Sequence, residues 1–430
     1  MKKIKIDLIK VKILLSLILI FCATGFPQTN ISSKLICKIT LESERDVRCN
    51  TPVFITLDSI LNPLQIISYK LEKIEGDKRI PVPTQIESKN SVRLWWLLPK
   101  LIEAEKKQDY ELKAGKSVPA PLVQIKMDDQ SLKINYKNRN VICYQYKLMK
   151  PPAGENPMYV RSGFIHPIRT PEGKVLTRIH PSDHIHHIGF WNPWTKTEFE
   201  GRKVDFWNLK YGQGTVRFVK FNSIKTGPVF GEFEALQQHV DLTVPEGEKV
   251  ALNELWLVRV WAQIKNEQSY WIWDFTTTQS CASSSPLIIH KYRYGGFGFR
   301  STEDWNEKNS NYVTSEGKTR IDGNGTRARW CYISGKTDNG QAGILFLSHP
   351  ENHEFPEPMR IWPKGDVFFG FCPVVYSDWK MIPGNKYARK YRVVVFDEKI
   401  TKNEAEQFWQ DFVHPPKINV KQTYISRNFK

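Results

Sequence analysis

Residues 183–187 read DHIHH, one aspartate and three histidines in five positions, with His166 and His180 a little upstream. Five of the ten histidines thus fall within the 22 residues from His166 to His187. Imidazole titrates near neutral pH, so such a cluster suits proton transfer, and an adjacent aspartate perturbs the pKa values as acid–base sites require. If DHIHHIGFW runs as a strand, side chains alternate, placing His184 and His186 on one face and Asp183, Ile185 and His187 on the other. An H-x-H pair on a strand can also supply two metal ligands, the remainder coming from His166, His180, Asp183 or the distant His349. Proton transfer without a cofactor is the reading carried forward, and metal at His184/His186 is its rival. Histidines that merely bond at a sheet edge would need no such density, nor flanking residues such as Arg169 and Trp191.

Three later segments carry similar residue types. FEGRKVDFWNLKYGQG supplies Asp205, Trp207 and Tyr211; HKYRYGGFGFR adds His290, Arg293, Tyr294 and Arg300. LSHPENHEFPEPMRIWPKGD brings His349, Asn352, His353, Arg360 and Trp362. The glycines do not follow the GxGxxG spacing, so nothing points to a dinucleotide. Loops bearing His, Arg, Tyr and Trp on a β scaffold suit a sugar cleft.

The elements that must position these residues read as strands. Short alternating runs such as KLICKITLES, TPVFITL and SVRLWWLLP predict a small N-terminal β-sandwich over residues 26–125, a module of about 100 residues. From residue 126 to 430 the runs SLKINY, VICYQYKLM, VALNELWLVRVWAQI, SYWIWDFTTTQ, QAGILFLSH and KYRVVVFD continue the pattern. Helical periodicity is confined to TKNEAEQFWQDFV, with Thr401 or Asn403 as N-cap. Long strands without crossover helices exclude Rossmann and TIM-barrel folds and leave an all-β, large antiparallel double sheet.

Composition bounds the setting. The 430 residues suffice for two domains, and 14 Trp, 16 Tyr and 23 Phe offer many flat faces to cores or sugar rings. Residues 1–25 form a Lys-rich start, an apolar run and small residues, the layout of a secretory signal peptide, with Ala23 and Gly25 before the cleavage point. Cys22 follows Phe21, which fits a lipid-anchor motif poorly. No later run approaches the ~20 apolar residues of an integral membrane span. The protein is therefore expected to be exported, periplasmic or secreted. Its formal net charge of +17 is spread without a basic arm, which argues against nucleic acid and for an acidic glycan partner. Of the remaining cysteines, Cys37 and Cys49 are close enough in sequence to bridge.

The motifs GFIHPIRTPEGKVLT, DHIHHIGFW, VDFW, YGGFGFR and LSHPENHEFPEPMRIW together resemble a bacterial family labelled methane oxygenase PmoA-like, over about residues 140–415. Many relatives have arginine after the paired histidines, where this chain has Ile188. A methane oxygenase subunit needs several membrane spans, so the resemblance does not imply that chemistry. It implies a β-supersandwich similar to galactose mutarotase-like proteins, in a family associated with polysaccharide degradation.

The expected function is carbohydrate chemistry on acidic oligosaccharides, uronate-containing and ulvan-like, by β-elimination as a dehydratase or exo-lyase. In that reading His184 or His187 is the base, Tyr294 or His166 protonates the leaving oxygen, and Asp183 supports the cluster. Arg169, Arg300 and Arg360 hold the carboxylate, and Trp191, Asp205, Trp207, His349 and Asn352 bind the sugar. The alternatives are a glycoside hydrolase using Asp183 with Asp205 or Glu198, and a glycan-binding protein without catalysis.

Overall fold

The computed structural model describes residues 35–42, 51–58, 60, 69–98, 107–115, 122–263, 270–338 and 340–422. The leader-like segment 1–25, with Cys22, and Cys49, the suggested partner of Cys37, lie outside the described residues. Every strand pairing among the described residues is antiparallel, and the helix Lys402–Val413 is capped as its sequence suggests. Thr401 Oγ1 accepts the Glu404 N–H at 3.2 Å, and the Glu404 carboxylate accepts the Thr401 N–H at 2.7 Å.

The small sandwich pairs a five-stranded sheet with a three-stranded one around Ile39, Leu41, Leu71, Leu94, Trp96 and Leu112. Its outermost strand is Lys417–Gln422, which returns from the end of the described chain to pair with Leu35–Glu42. The larger body has two eight-stranded sheets. The first runs from Met359–Ile361 through Phe368–Phe371, Gly298–Arg300, Phe190–Trp191 and Phe164–Ile168 to Val123–Met127. The second is built on the long strands Gly214–Lys225, Phe230–Asp241, Lys249–Trp261, Tyr270–Cys281 and Tyr387–Phe396. A continuous apolar core, including Phe190, Trp256, Trp273, Phe275, Phe299 and Phe346, fills the space between them.

Period-two alternation distributes the side chains. In RLWWLL, Trp96 enters the small core while Trp95 turns to the large one and lies 5.3 Å from Trp261. In the first sheet Phe190 points inward at Trp273 (5.3 Å), and its neighbour Trp191 points outward at Trp207 (4.9 Å). Phe299 likewise packs inward on Phe346, whereas Arg300 faces out. Phe369 stacks inward on Phe346, and Phe368 stacks outward on His187. The outward set forms a separate aromatic cluster on the outer face of this sheet.

The two bodies are locked by Arg259. Its Nε donates to Glu232 at 2.6 Å, and its Nη2 bonds both Glu232 and Glu87 of the small sandwich. The guanidinium lies 4.1 Å from the Phe230 ring and 5.1 Å from Trp95. Gln85 Oε1 accepts the Val229 and Phe230 N–H groups at 3.1 and 2.9 Å, continuing the seam.

Candidate functional site

DHIHH is not a strand. Residues 181–187 form two successive turns, in which the His184 N–H donates to Pro181 O at 3.0 Å and the His187 N–H to His184 O at 2.8 Å. The loop is closed by His180, whose N–H donates to His187 O at 2.8 Å and whose Nδ1 lies 2.7 Å from Ile185 O. His180 is thus a staple of the loop. Turn spacing brings residues three apart together, so the His184 and His187 rings stack at 4.8 Å and 19°. His186 lies edge-on to His187 at 4.6 Å. The expected split of His184 and His187 onto opposite faces is therefore overturned: all three imidazoles reach one cavity.

The cavity, about 80 Å³, lies on the outer face of the first sheet. Its walls are the three imidazoles, the rings of Trp207, Tyr294, Trp362 and Phe368, and the guanidinium groups of Arg293 and Arg360. Trp207 comes close to the sheet because position 298 is glycine; a Cβ there would lie 2.6 Å from Trp207 Cη2. Among the described residues, no carboxylate lines the cavity.

Asp183 sits just behind His184. Arg300 Nη2 lies 2.8 and 2.7 Å from the two Asp183 oxygens and 2.8 Å from Asp366 Oδ2. Arg178 pairs with the same Asp366 carboxylate. Burial works to raise the Asp183 pKa, but the Arg300 bond and charge prevail and hold it below the usual carboxylate range. His184 Nδ1 lies 3.1 Å from Asp183 Oδ2, an ion-pair distance without the alignment of a hydrogen bond. Arg300 is fully buried, with its guanidinium 4.8 Å from the Trp362 ring, so it holds Asp183 and backs the cavity wall.

Burial disfavours protonation of the other two cavity histidines. Burial, then the charges of His184, Arg161 and Arg300, push His186 down to about 3. Burial pushes His187 well below its ordinary value, and this fully enclosed ring is packed between His184 and Phe368. Burial raises the Tyr294 phenol to about 12, so it remains protonated; its O–H donates to Asn208 Oδ1 at 3.2 Å. Arg293 has no hydrogen bond or carboxylate partner among the described residues, and its guanidinium lies 5.7 Å from the Tyr292 and Tyr294 rings. Arg360 donates to Asn324 Oδ1 at 2.9 Å; burial and the nearby Arg293 charge both disfavour its protonated form.

Several expected site residues lie elsewhere. His166 bonds Thr177 Oγ1 at 3.0 Å, and burial lowers it to about 4; Arg169 donates to Gly173 O at 2.9 Å. Neither lines the cavity. His349 packs on Phe412, and Asn352 is tied to Glu357 and Lys390, so both serve the packing of their own loop. Trp191 is buried behind His187 and Trp207 as backing for the wall. Asp205 accepts the Trp207 and Asn208 N–H groups at 2.8 and 2.9 Å, which shapes the turn carrying Trp207. Glu198 lies 3.5 Å from His290 on a separate four-stranded sheet. The carboxylate pairs of the hydrolase reading thus do not face each other across the cavity. Among the described residues, no group of three or more His, Cys, Asp or Glu is arranged to hold a metal.

Phe368 had no distinguishing signal in the sequence. Arg293 and Trp362 stood inside the chemically rich segments, and only the fold shows that they meet.

Fold and site define a class: an all-β, antiparallel sandwich protein with a small aromatic, cationic cavity on the outer face of one sheet. The chain belongs to a family of unknown function, DUF6807, whose sequence profile matches residues 131–410. That match gives the family, and with it neither a PmoA-like label nor an association with polysaccharides. No curated protein matches the chain. Among solved structures, it is similar to a galactose mutarotase related enzyme from Lactobacillus acidophilus, with 8% identity and a TM-score of 0.23, over 65% of this chain and 100% of that one. It is also similar to a TPR-domain containing protein from Parabacteroides distasonis, with 8% identity and a TM-score of 0.21, over 83% of this chain and 57% of that one. At such scores the description of the fold rests on the sheets themselves. No helix among the described residues is long and apolar enough to cross a membrane.

Proposed function

We propose that this protein is an exported carbohydrate-active enzyme that performs β-elimination on the terminal acidic unit of an oligosaccharide, as an exo-lyase or dehydratase. The observation that carries this reading is the pair Arg293 and Arg360, two cations without a carboxylate partner among the described residues, beside a cluster of three imidazoles at one cavity. A uronate carboxylate supplies the missing charge, and guanidinium groups match it bidentately. With that charge neutralised, His184 Nε2 removes the proton from the carbon bearing the carboxylate. The electron pair forms the new carbon–carbon double bond, and the bond from the adjacent carbon to its oxygen breaks. Tyr294 gives its proton to the departing oxygen. If that oxygen joins two sugars the enzyme is a lyase; if it is a free hydroxyl, water leaves.

The neutral His186 suits hydroxyl recognition, since it presents an acceptor as well as a donor. The cavity, about 80 Å³, is small, which favours a terminal sugar unit as its occupant. The leader-like residues 1–25 are consistent with an extracellular polymer as the source. A hydrolase is disfavoured by the absence of carboxylates from the lining.

The test is to incubate purified protein with uronate oligosaccharides and follow the ultraviolet absorbance of the unsaturated product together with product masses. His184→Ala serves as control. Absorbance that rises with wild type and is lost in the variant supports elimination. Cleavage with water gained and no absorbance excludes it. Saturable binding with no turnover on any acidic sugar makes the protein a glycan binder.

A further inference from the structure

The cavity has an aromatic neighbour that its own chemistry does not use. Tyr376 is a half-exposed ring in the loop after Val374, outside the cavity lining but tied to the segments of both cavity arginines. Its hydroxyl bonds Gly325 O, and Gly325 follows Asn324, the acceptor for Arg360. On the other side, the Val374 carbonyl accepts the Tyr292 N–H at 2.9 Å, and Tyr292 adjoins Arg293. The ring is therefore anchored to the segments that carry Arg293 and Arg360.

It is also rigid. The Arg327 guanidinium lies 5.1 Å from the ring centroid. Arg327 is itself fixed by the Glu354 and Pro356 carbonyls, at 2.6 and 2.9 Å, and by the Glu354 carboxylate. Ser377, the next residue, bonds the same carboxylate at 3.3 Å. So the ring is held at its hydroxyl end, against Arg327 and through its own loop, yet it is 50% exposed. A tyrosine that served only packing would bury its ring, and one that served only solubility would not be fixed at so many points. By contrast Tyr211, four residues after the cavity residue Trp207, is 76% exposed, with Lys210 over it at 5.9 Å.

We propose that Tyr376 is the stacking platform for the penultimate sugar ring of an oligosaccharide whose terminal acidic ring occupies the cavity. The assignment rests on reading the cavity as an acidic-sugar site and deepens it, because it makes the substrate at least a disaccharide. The C–H face of a pyranose is the apolar surface that packs on a preorganised aromatic ring.

The experiment measures binding of glucuronic and galacturonic acid and of disaccharides ending in each, by calorimetry, for wild type, Tyr376→Ala, Tyr376→Phe and Tyr211→Ala. Wild type should bind a disaccharide more tightly than its monosaccharide. Tyr376→Ala should lose about two- to tenfold for the disaccharide and nothing for the monosaccharide, as expected for one stacked ring. Tyr376→Phe, which keeps the ring, should restore the difference. A Tyr376→Ala protein that keeps the disaccharide advantage, or a loss seen instead in Tyr211→Ala, overturns the platform while the cavity reading stands. A wild type that binds neither monosaccharide nor disaccharide overturns the cavity reading and the platform with it.

Discussion

Arg259 at the seam and Arg293 at the cavity are both guanidinium groups set among aromatic rings, but they differ in burial and in pairing: Arg259 is buried and Arg293 is exposed. Arg259 meets Glu232 and Glu87, and Phe230, Trp95 and Trp261 pack around it. Arg293 has only Tyr292 and Tyr294, and the adjacent Arg360 adds a like charge with only an amide as partner. A charge buried for stability must be paired, because desolvation otherwise opposes it. Arg293 is exposed and solvated, so the fold does not require it to be paired; under the proposed function it and the half-buried Arg360 are free to meet an anionic sugar. The same residue type therefore reads as a lock at one place and a receptor at the other.

The largest effect should come from breaking the lock. Arg259→Ala strands two buried carboxylates and is expected to cost about 3–5 kcal/mol in urea denaturation, with sugar binding by the folded fraction unchanged. Next, Asp183→Asn should lower kcat on the proposed substrate by about a hundredfold with KM nearly constant, because it removes the negative charge 3.1 Å from His184. An equal fall in kcat and rise in KM would make Asp183 a binding residue instead. At the receptor, Arg293→Ala and Arg360→Ala should each raise KM for an acidic sugar about tenfold, the worth of one charge-assisted hydrogen bond. The denaturation midpoint of each should stay level or rise, and a fall as large as that of Arg259→Ala would erase the contrast.

A last effect is a pH dependence of stability. His186, held down to about 3, His166, held to about 4, and His187 are all neutral in the folded protein, chiefly through burial. Unfolded imidazole titrates near ~6.5, so below that pH the unfolded chain binds more protons than the folded one. Stability should be full above about 6.5 and decline as pH falls towards about 4 and then 3. His186→Gln should flatten that decline in urea midpoints measured across the range; an unchanged profile would show that His186 is not held neutral.

Much of the fold was legible because alternation of apolar and polar residues is local. Runs such as SYWIWDFTTTQ and KYRVVVFD lie within the strands Tyr270–Cys281 and Tyr387–Phe396. The strand Phe230–Asp241 was not legible, since EFEALQQHV presents polar residues on both faces. Its inward face carries Gln237 and His239, the latter bonded to the buried Glu254 at 2.7 Å. Hydrogen bonds inside the core there replace the apolar pattern that a reader looks for. At the site, His184, His186, His187, Trp207, Tyr294 and Arg360 were visible as residue types in rich segments. The mistaken strand at DHIHH came from applying period two to a stretch in which Pro181 and Ser182 begin a turn.

By itself the sequence determined the all-β class, the capped C-terminal helix and the segments rich in chemistry, because propensity, periodicity and capping depend on neighbours a few residues away. Only the tertiary structure decided which charges are paired. Asp205 and Arg300 look like Asp183 and Arg360 in a string of letters, but Asp205 shapes a turn and Arg300 is sealed behind the wall. Whether a charged group is spent or available depends on partners that may stand more than a hundred residues away, as Arg300 and Asp183 do, and those partners are chosen by how the sheets pack.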